Sequence, residues 1–329
     1  LPWRYVRLMP LSLKQMRDFA LLQSVSDPDN LLADIRRRDA EDFAERPQDL
    51  IELCSDWREH QRIRTHREQV KANVSVKLKS NTERRDRAEL SQEKAIEGAS
   101  SLALAAMLTR KLTLKQSAES DIVSASEAAL DVSKILLSWS GEERATLLER
   151  SLFGFASYGR VRFHHMSVVE FLAAARLDDL LDRGVPIKAI KRLLFIETAQ
   201  GTEMVRPSLR PVAAWLALSH DSIFDRVVLT DPAVVLDHGD PQSLRLDQRI
   251  RALESYVNRY GDGGWRGLST PRIQVHRFAS IELSEAISRL WGRGIQNPEV
   301  RELLLQIIGV GQIRECRDIV YSVAIDRSK

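Results

Sequence analysis

The spacing of apolar residues is helical along almost the whole chain. Leu11-Ser12-Leu13-Lys14-Gln15-Met16-Arg17-Asp18-Phe19 opens on a serine suited to cap a helix. It then sets Leu13, Met16, Phe19 and Ala20 on one face. Asp27-Pro28-Asp29-Asn30 reads as a turn, and Leu31, Leu32 and Ile35 begin a second helix. A third helix starts with Pro47 at its first position, where the missing amide hydrogen is no loss. Its stripe is Leu50, Ile51, Leu53, Cys54 and Trp57. Thr65 to Lys79 predicts a fourth, more polar helix, and the four are expected to form a small bundle within residues 1–88.

A second unit, residues 89–185, opens at Ser91 with an Ala- and Leu-rich helix over Ala95 to Leu108, suited to deep packing. Helices over Ala125–Ser138 and Gly141–Leu152 are expected next. The period then changes. Leu152-Phe153-Gly154-Phe155-Ala156 and Val161-Arg162-Phe163-His164 flank Ser157-Tyr158-Gly159-Arg160, which predicts a β-hairpin with a short glycine-containing loop. This is the one clear strand signal. A long apolar helix follows from Ser167 through Phe171, Leu172, Leu177 and Leu181 to Gly184. Helices, one hairpin and a closing helix make the pattern of a winged-helix domain.

From Pro186 to the end, prolines punctuate further helical segments: Leu209–Ser219, Ser222–Thr230, Leu246–Tyr260, Pro271–Ser280, Glu282–Trp291, Pro298–Gly309 and Ile313–Ile325. Short breaks between them predict a HEAT- or armadillo-like helical stack over residues 186–329, although no fixed period recurs, and a compact helical bundle is the alternative. The expected fold class is therefore mainly α: a small helical bundle, a winged-helix domain with one β-hairpin, then a helical stack.

Composition narrows the function classes. The 329 residues are 43% hydrophobic and 29% charged, as in ordinary globular proteins. Cys54 and Cys316 sit in neither a metal-ligand nor a Cys-x-x-Cys spacing, which points to reduced thiols and a cytoplasmic protein. No apolar run approaches the roughly 18 residues of a membrane span. The chain begins at Leu1, and its opening residues lack the apolar core of a signal peptide, so an excised piece of a larger protein is expected. The net charge of +3 does not by itself argue for a polyanionic partner. Between Arg58 and Arg87, however, ten Lys or Arg oppose four acids. This is either a phosphate-facing surface or the solvated face of a helix with a charged linker. No aromatic residue after Trp57 interleaves with it to stack bases.

The sequence holds no complete local catalytic motif. None of the fifteen glycines is followed by Lys, so no Gly-x-x-x-x-Gly-Lys-Ser/Thr phosphate cradle exists. There is no Gly-x-Ser-x-Gly elbow and no His-Glu-x-x-His pair. His164 and His165 are adjacent, so on a helix or strand they point to different faces and cannot chelate one metal together. No catalytic residue and no metal ligand is expected.

One phrase carries a resemblance. Phe163-His164-His165-Met166-Ser167-Val168-Val169-Glu170-Phe171-Leu172-Ala173-Ala174 resembles the segment F-x-H-x-S-x-x-E-[FY]-L-A-A in the winged-helix domain of NACHT-type STAND NTPases, the signal-transduction ATPases of innate immunity and antiphage defence. Arg7-Leu8-Met9-Pro10-Leu11-Ser12 is similar to the start of that family's first helical domain, and Arg46-Pro47-Gln48-Asp49-Leu50 to Trp57 to its P-x-x-L helix. Val205-Arg206-Pro207-Ser208-Leu209-Arg210-Pro211 with Ala214-Trp215-Leu216-Ala217 looks like the helical region that follows in bacterial, antiviral (Avs-like) members. The resemblance implies that His165, rather than His164, contacts the β-phosphate of bound ADP and locks a closed state. It implies that Pro47 packs near the adenine. A histidine donor to phosphate is a charge-assisted bond that can tell ADP from ATP.

The family's phosphate-binding loop and acidic metal-binding strand have no counterpart in this sequence. The resemblance therefore places them before Leu1, with ADP or ATP and magnesium bound only by an intact protein that is itself an ATPase. The expected partners are a nucleotide-binding core and an effector domain of the same protein, a protein trigger, and further copies on activation. The expected role is a regulatory and sensor-proximal module. The alternatives are a winged-helix DNA-binding regulator, against which three glutamates in Gly141–Leu152 would repel phosphates, and a helical-repeat scaffold for protein partners.

Overall fold

The computed structural model describes residues 9–37, 44–45, 47–79, 87–116, 129–157 and 159–325. The opening Leu1 to Leu8, the start of the expected Ala125–Ser138 helix, and Arg84 and Arg85 of the basic run lie outside them.

The first unit is built from α1 (Leu13–Leu22), α2 (Pro28–Arg37) and α3 (Pro47–His60). Ser12 caps α1 by accepting from the Gln15 amide, while the Gln15 side chain accepts from the Ser12 amide. Asp27 accepts from the Asn30 amide at 3.0 Å, so the Asp-Pro turn is itself the start of α2. Met16, Ala20, Leu31, Ile35, Leu50, Leu53, Cys54 and Trp57 close one small core.

The fourth helix, α4 (His66–Lys77), does not join that core as the expected four-helix bundle requires. Its apolar residues Val70 and Val74 lie in a second, much larger core shared with everything downstream. The helix is thus a bridge. Polar bonds hold it to α3, with Asn73 Nδ2 donating to both Glu52 oxygens at 2.8 and 2.9 Å. Its apolar stripe is too narrow to fill the small core and is satisfied by the winged-helix side instead.

The winged-helix unit follows as α5 (Gln92–Thr109), β1 (Thr113–Lys115), β2 (Leu130–Asp131), α6 (Gly141–Leu148), β3 (Phe153–Ser157), β4 (Arg160–Phe163) and α7 (Met166–Asp182). The sheet order is β2-β1-β4-β3. The hairpin β3–β4 is antiparallel, with Phe153 opposite Phe163 and their rings 4.7 Å apart. Gly159 takes φ +68 in its turn, a region that favours glycine. β1 pairs antiparallel with β4, giving the three-stranded β1-β4-β3 arrangement of a winged helix. β2 adds a short parallel edge.

Two expectations are corrected here. The hairpin is accompanied by further strands, and residues 130–134 form β2 and a 3-10 turn rather than the end of an α-helix. Strands of two or three residues exist only through their pairing, so no local periodicity announces them. Helices α5 and α7 form the body of the unit. Ala99, Ala103 and Ala106 of α5, and Ala173 and Ala174 of α7, are all buried, and such small side chains let two helices approach closely.

The remaining chain is a helical stack that opens with α8 (Ile187–Leu194) and a hairpin, β5 (Phe195–Glu197) with β6 (Glu203–Val205), also unforeseen. Then come α9 (Arg210–Ala217), α10 (Asp221–Thr230), α11 (Ala233–Asp237), α12 (Leu246–Tyr260), α13 (Arg272–Phe278), α14 (Ser284–Trp291), α15 (Pro298–Val310) and α16 (Arg317–Ile325). Each packs on near neighbours in sequence, as in a stack, and the polypeptide is mainly α throughout. No helix among the described residues is long and apolar enough to cross a membrane.

Candidate functional site

A cleft of about 500 Å³ lies where the three units meet. That volume is in the range of small-molecule sites. One wall is α3, which turns Leu50 and Trp57 into the small core and leaves Ile51, Glu52, Ser55 and Asp56 along the cleft. The link to α4 supplies Ile63 and Arg64, and it is pinned because the Ile63 amide donates to the buried Asp34 carboxylate at 2.9 Å. Helix α4 begins at a capping box in which Thr65 accepts from the Glu68 amide and Glu68 from the Thr65 amide. This aims His66, Gln69, Asn73, Val76 and Lys77 at the cleft while Val74 goes to the core.

The winged helix supplies His165, Ser167 and Val168 from the start of α7, and Ser151 from the end of the α6 segment. Ser151 also donates to the Lys77 carbonyl at 3.2 Å, tying that unit to α4. The stack supplies Gln242, Ile273 and Arg277. It is fastened to α4 through the Arg67 amide, which donates to Asp240 at 2.9 Å.

The two histidines part as their adjacency requires. His165 stands at the N-cap of α7, half-buried, with its side chain on the cleft and making no cap hydrogen bond. His164 turns the other way and lies against Gly154 of the wing, where a Cβ would come within 2.5 Å of its ring. Burial, with Lys77, His165 and Arg162 nearby, holds the His164 pKa below the ordinary value. Pro47 opens α3 and is exposed. It is not among the cleft-lining residues, although Ile51, one turn along the same face, is. The structure therefore puts His165 on the cleft and Pro47 at the end of the helix that walls it.

The charges in the cleft are unequal in their freedom. Arg64 pairs with the buried Asp56, and that bond holds the guanidinium pKa above its ordinary value. Lys77 lies 3.7 Å from Glu52. Both cleft acids are thus matched. His66 stacks its ring 5.5 Å from that of Trp215, and burial together with Arg277 pushes its pKa down to about 3, so it is neutral at physiological pH. Arg277 makes no hydrogen bond or ion pair with the described residues. Burial lowers its pKa, while Asp240 opposes that shift. The result is an apolar-walled cleft with one surplus cation and a histidine donor, an arrangement suited to an anion.

Sequence reasoning did not single out Arg277, His66 or Arg64 as site residues. Arg64 belongs to the basic run but is consumed by Asp56. Arg62 and Arg87 of the same run pair with Glu68 and Glu149 at 3.2 and 2.7 Å. These arginines of the run, all in the links between helices, are thus ion-paired rather than free for phosphate. Arg277 comes from a different unit of the chain, and no local pattern marks it.

Fold and site together define a mainly α protein in which a helical unit, a winged helix and a helical stack enclose a cationic cleft. No family model matches the chain, and no curated protein matches it.

Proposed function

We propose that this chain is the regulatory and sensor-proximal module of a NACHT-type STAND NTPase that works in the cytoplasm in signal transduction or antiphage defence. In this reading α1–α4 and the winged helix gate the ADP/ATP state of a nucleotide-binding core carried elsewhere in the same protein, and the helical stack relays a protein trigger or supports oligomerisation. His165 donates to the β-phosphate of ADP and Pro47 lies toward the adenine. The observation that carries the reading is the position of His165. It opens α7 directly on the cleft walled by α3 and α4, with its side chain uncommitted to capping. The donor set also fits a phosphate, since Arg277 and His165 line the same cleft as the apolar Ile51 and Val168.

The test is His165→Ala in the full-length protein, with bound nucleotide extracted and quantified after purification. The variant should retain less ADP than the parent and signal more without a trigger. Equal ADP retention would rule out the phosphate contact.

A further inference from the structure

We propose that Arg277 of the helical stack is an anion anchor, so that a phosphate-bearing ligand with an apolar body ties the stack to the first helical unit and the winged helix. This rests on the reading above for where the phosphate lies, but it concerns a residue that no resemblance touches.

Four formal charges in the cleft cancel in two pairs, Arg64 with Asp56 and Lys77 with Glu52. Arg277 is what remains. The acid that acts on it is Asp240, but no hydrogen bond or ion pair joins the two, and Asp240 Oδ1 makes no hydrogen bond among the described residues. Its Oδ2 accepts from the Arg67 amide at 2.9 Å and from the Ser243 hydroxyl at 2.7 Å. The Arg277 guanidinium is half-buried and makes no hydrogen bond with the described residues, so its donors stay open to the cleft. Five donors in a planar fork suit two phosphate oxygens at once. The neighbouring His66 stays uncharged and offers no competing cation. Ile51, Val76 and Val168 on the other units, with Ile273 one turn from Arg277 on its own helix, form a surface for an apolar or aromatic body. The three units contribute separately, so an anion held by Arg277 and by groups on α4 and α7 closes the arrangement only while all three are in place.

The test uses the full-length protein freed of nucleotide, with inorganic pyrophosphate and ADP as probes in calorimetry. Arg277→Met should weaken pyrophosphate binding about tenfold or more, Arg277→Lys should recover part of the loss, and ADP should bind more tightly than pyrophosphate. In the absence of probe, Arg277→Met should melt close to the parent, because the half-exposed guanidinium makes no hydrogen bond that the fold depends on. A folding defect would lower the melting temperature instead. Unchanged pyrophosphate affinity in Arg277→Met overturns the proposal, as does a parent chain that binds neither probe in the millimolar range. If His165→Ala weakens ADP binding while Arg277→Met does not, the anchor fails and the nucleotide reading survives. The converse result removes the His165 contact and leaves the anchor.

Discussion

Glu170 sits in the first turns of α7, and burial pushes its pKa from 4.5 up to about 7. Among the described residues no hydrogen bond or ion pair compensates it. The folded chain therefore prefers the protonated acid, whereas the unfolded chain ionises near the ordinary value. Between those two values the folded state holds a proton that the unfolded state has released, so stability falls as pH rises from 4.5 through 7. Taking both values, ionisation costs the fold about 3 kcal/mol at pH 8 and about 1 kcal/mol at pH 5. Glu170→Gln keeps the shape and cannot ionise. Its effect on stability should thus shift by about 2–2.5 kcal/mol in its favour between pH 5 and pH 8. Urea unfolding of parent and variant at both values measures this double difference, in which any fixed cost of the amide cancels. A shift below about 0.5 kcal/mol, or one of opposite sign, would show that Glu170 is solvated or paired and that the burial argument is wrong.

Gly98 of α5 leaves no room for a methyl group, since a Cβ there would meet Trp139 ring atoms at 2.6 and 2.8 Å and Leu147 Cδ2 at 2.9 Å. Gly98→Ala gains about 1 kcal/mol of helix propensity but forces a rigid indole to move, at about 1–3 kcal/mol, so a net loss visible as a lower melting temperature is expected. Asn297 is fully buried. It donates to the carbonyls of Tyr260 at 2.9 Å and Trp265 at 3.1 Å and accepts from the Glu299 amide at 3.0 Å. Asn297→Ala strands those backbone groups and should cost about 3 kcal/mol or more in chemical unfolding; a loss under 1 kcal/mol would mean that water replaces the amide.

The elements legible in the chain are those whose signal is local. Ser12, Thr65, Ser91 and Ser140 each accept the backbone hydrogen bond that begins a helix. Pro47 starts α3, and Gly159 turns the hairpin. Such bonds join residues three apart and depend on little else. The strands β1, β5 and β6 were hidden because three residues carry almost no period of their own. Leu114 of β1 becomes a strand residue through its pairing with Val161. Phe195 to Glu197 continue the apolar run of α8, yet they turn away into a hairpin whose bend includes Gly201 at φ +76.

Helix positions, caps, the wing and the outward divergence of His164 from His165 follow from the order of residues, because neighbouring side chains and backbone groups decide them. Which core α4 would serve, that Arg64 would be neutralised by Asp56 while Arg277 would not, and that His66 would be held uncharged follow only from the packed molecule. Those outcomes turn on desolvation and on distances between units remote in the chain, and both come into being only when the chain has folded.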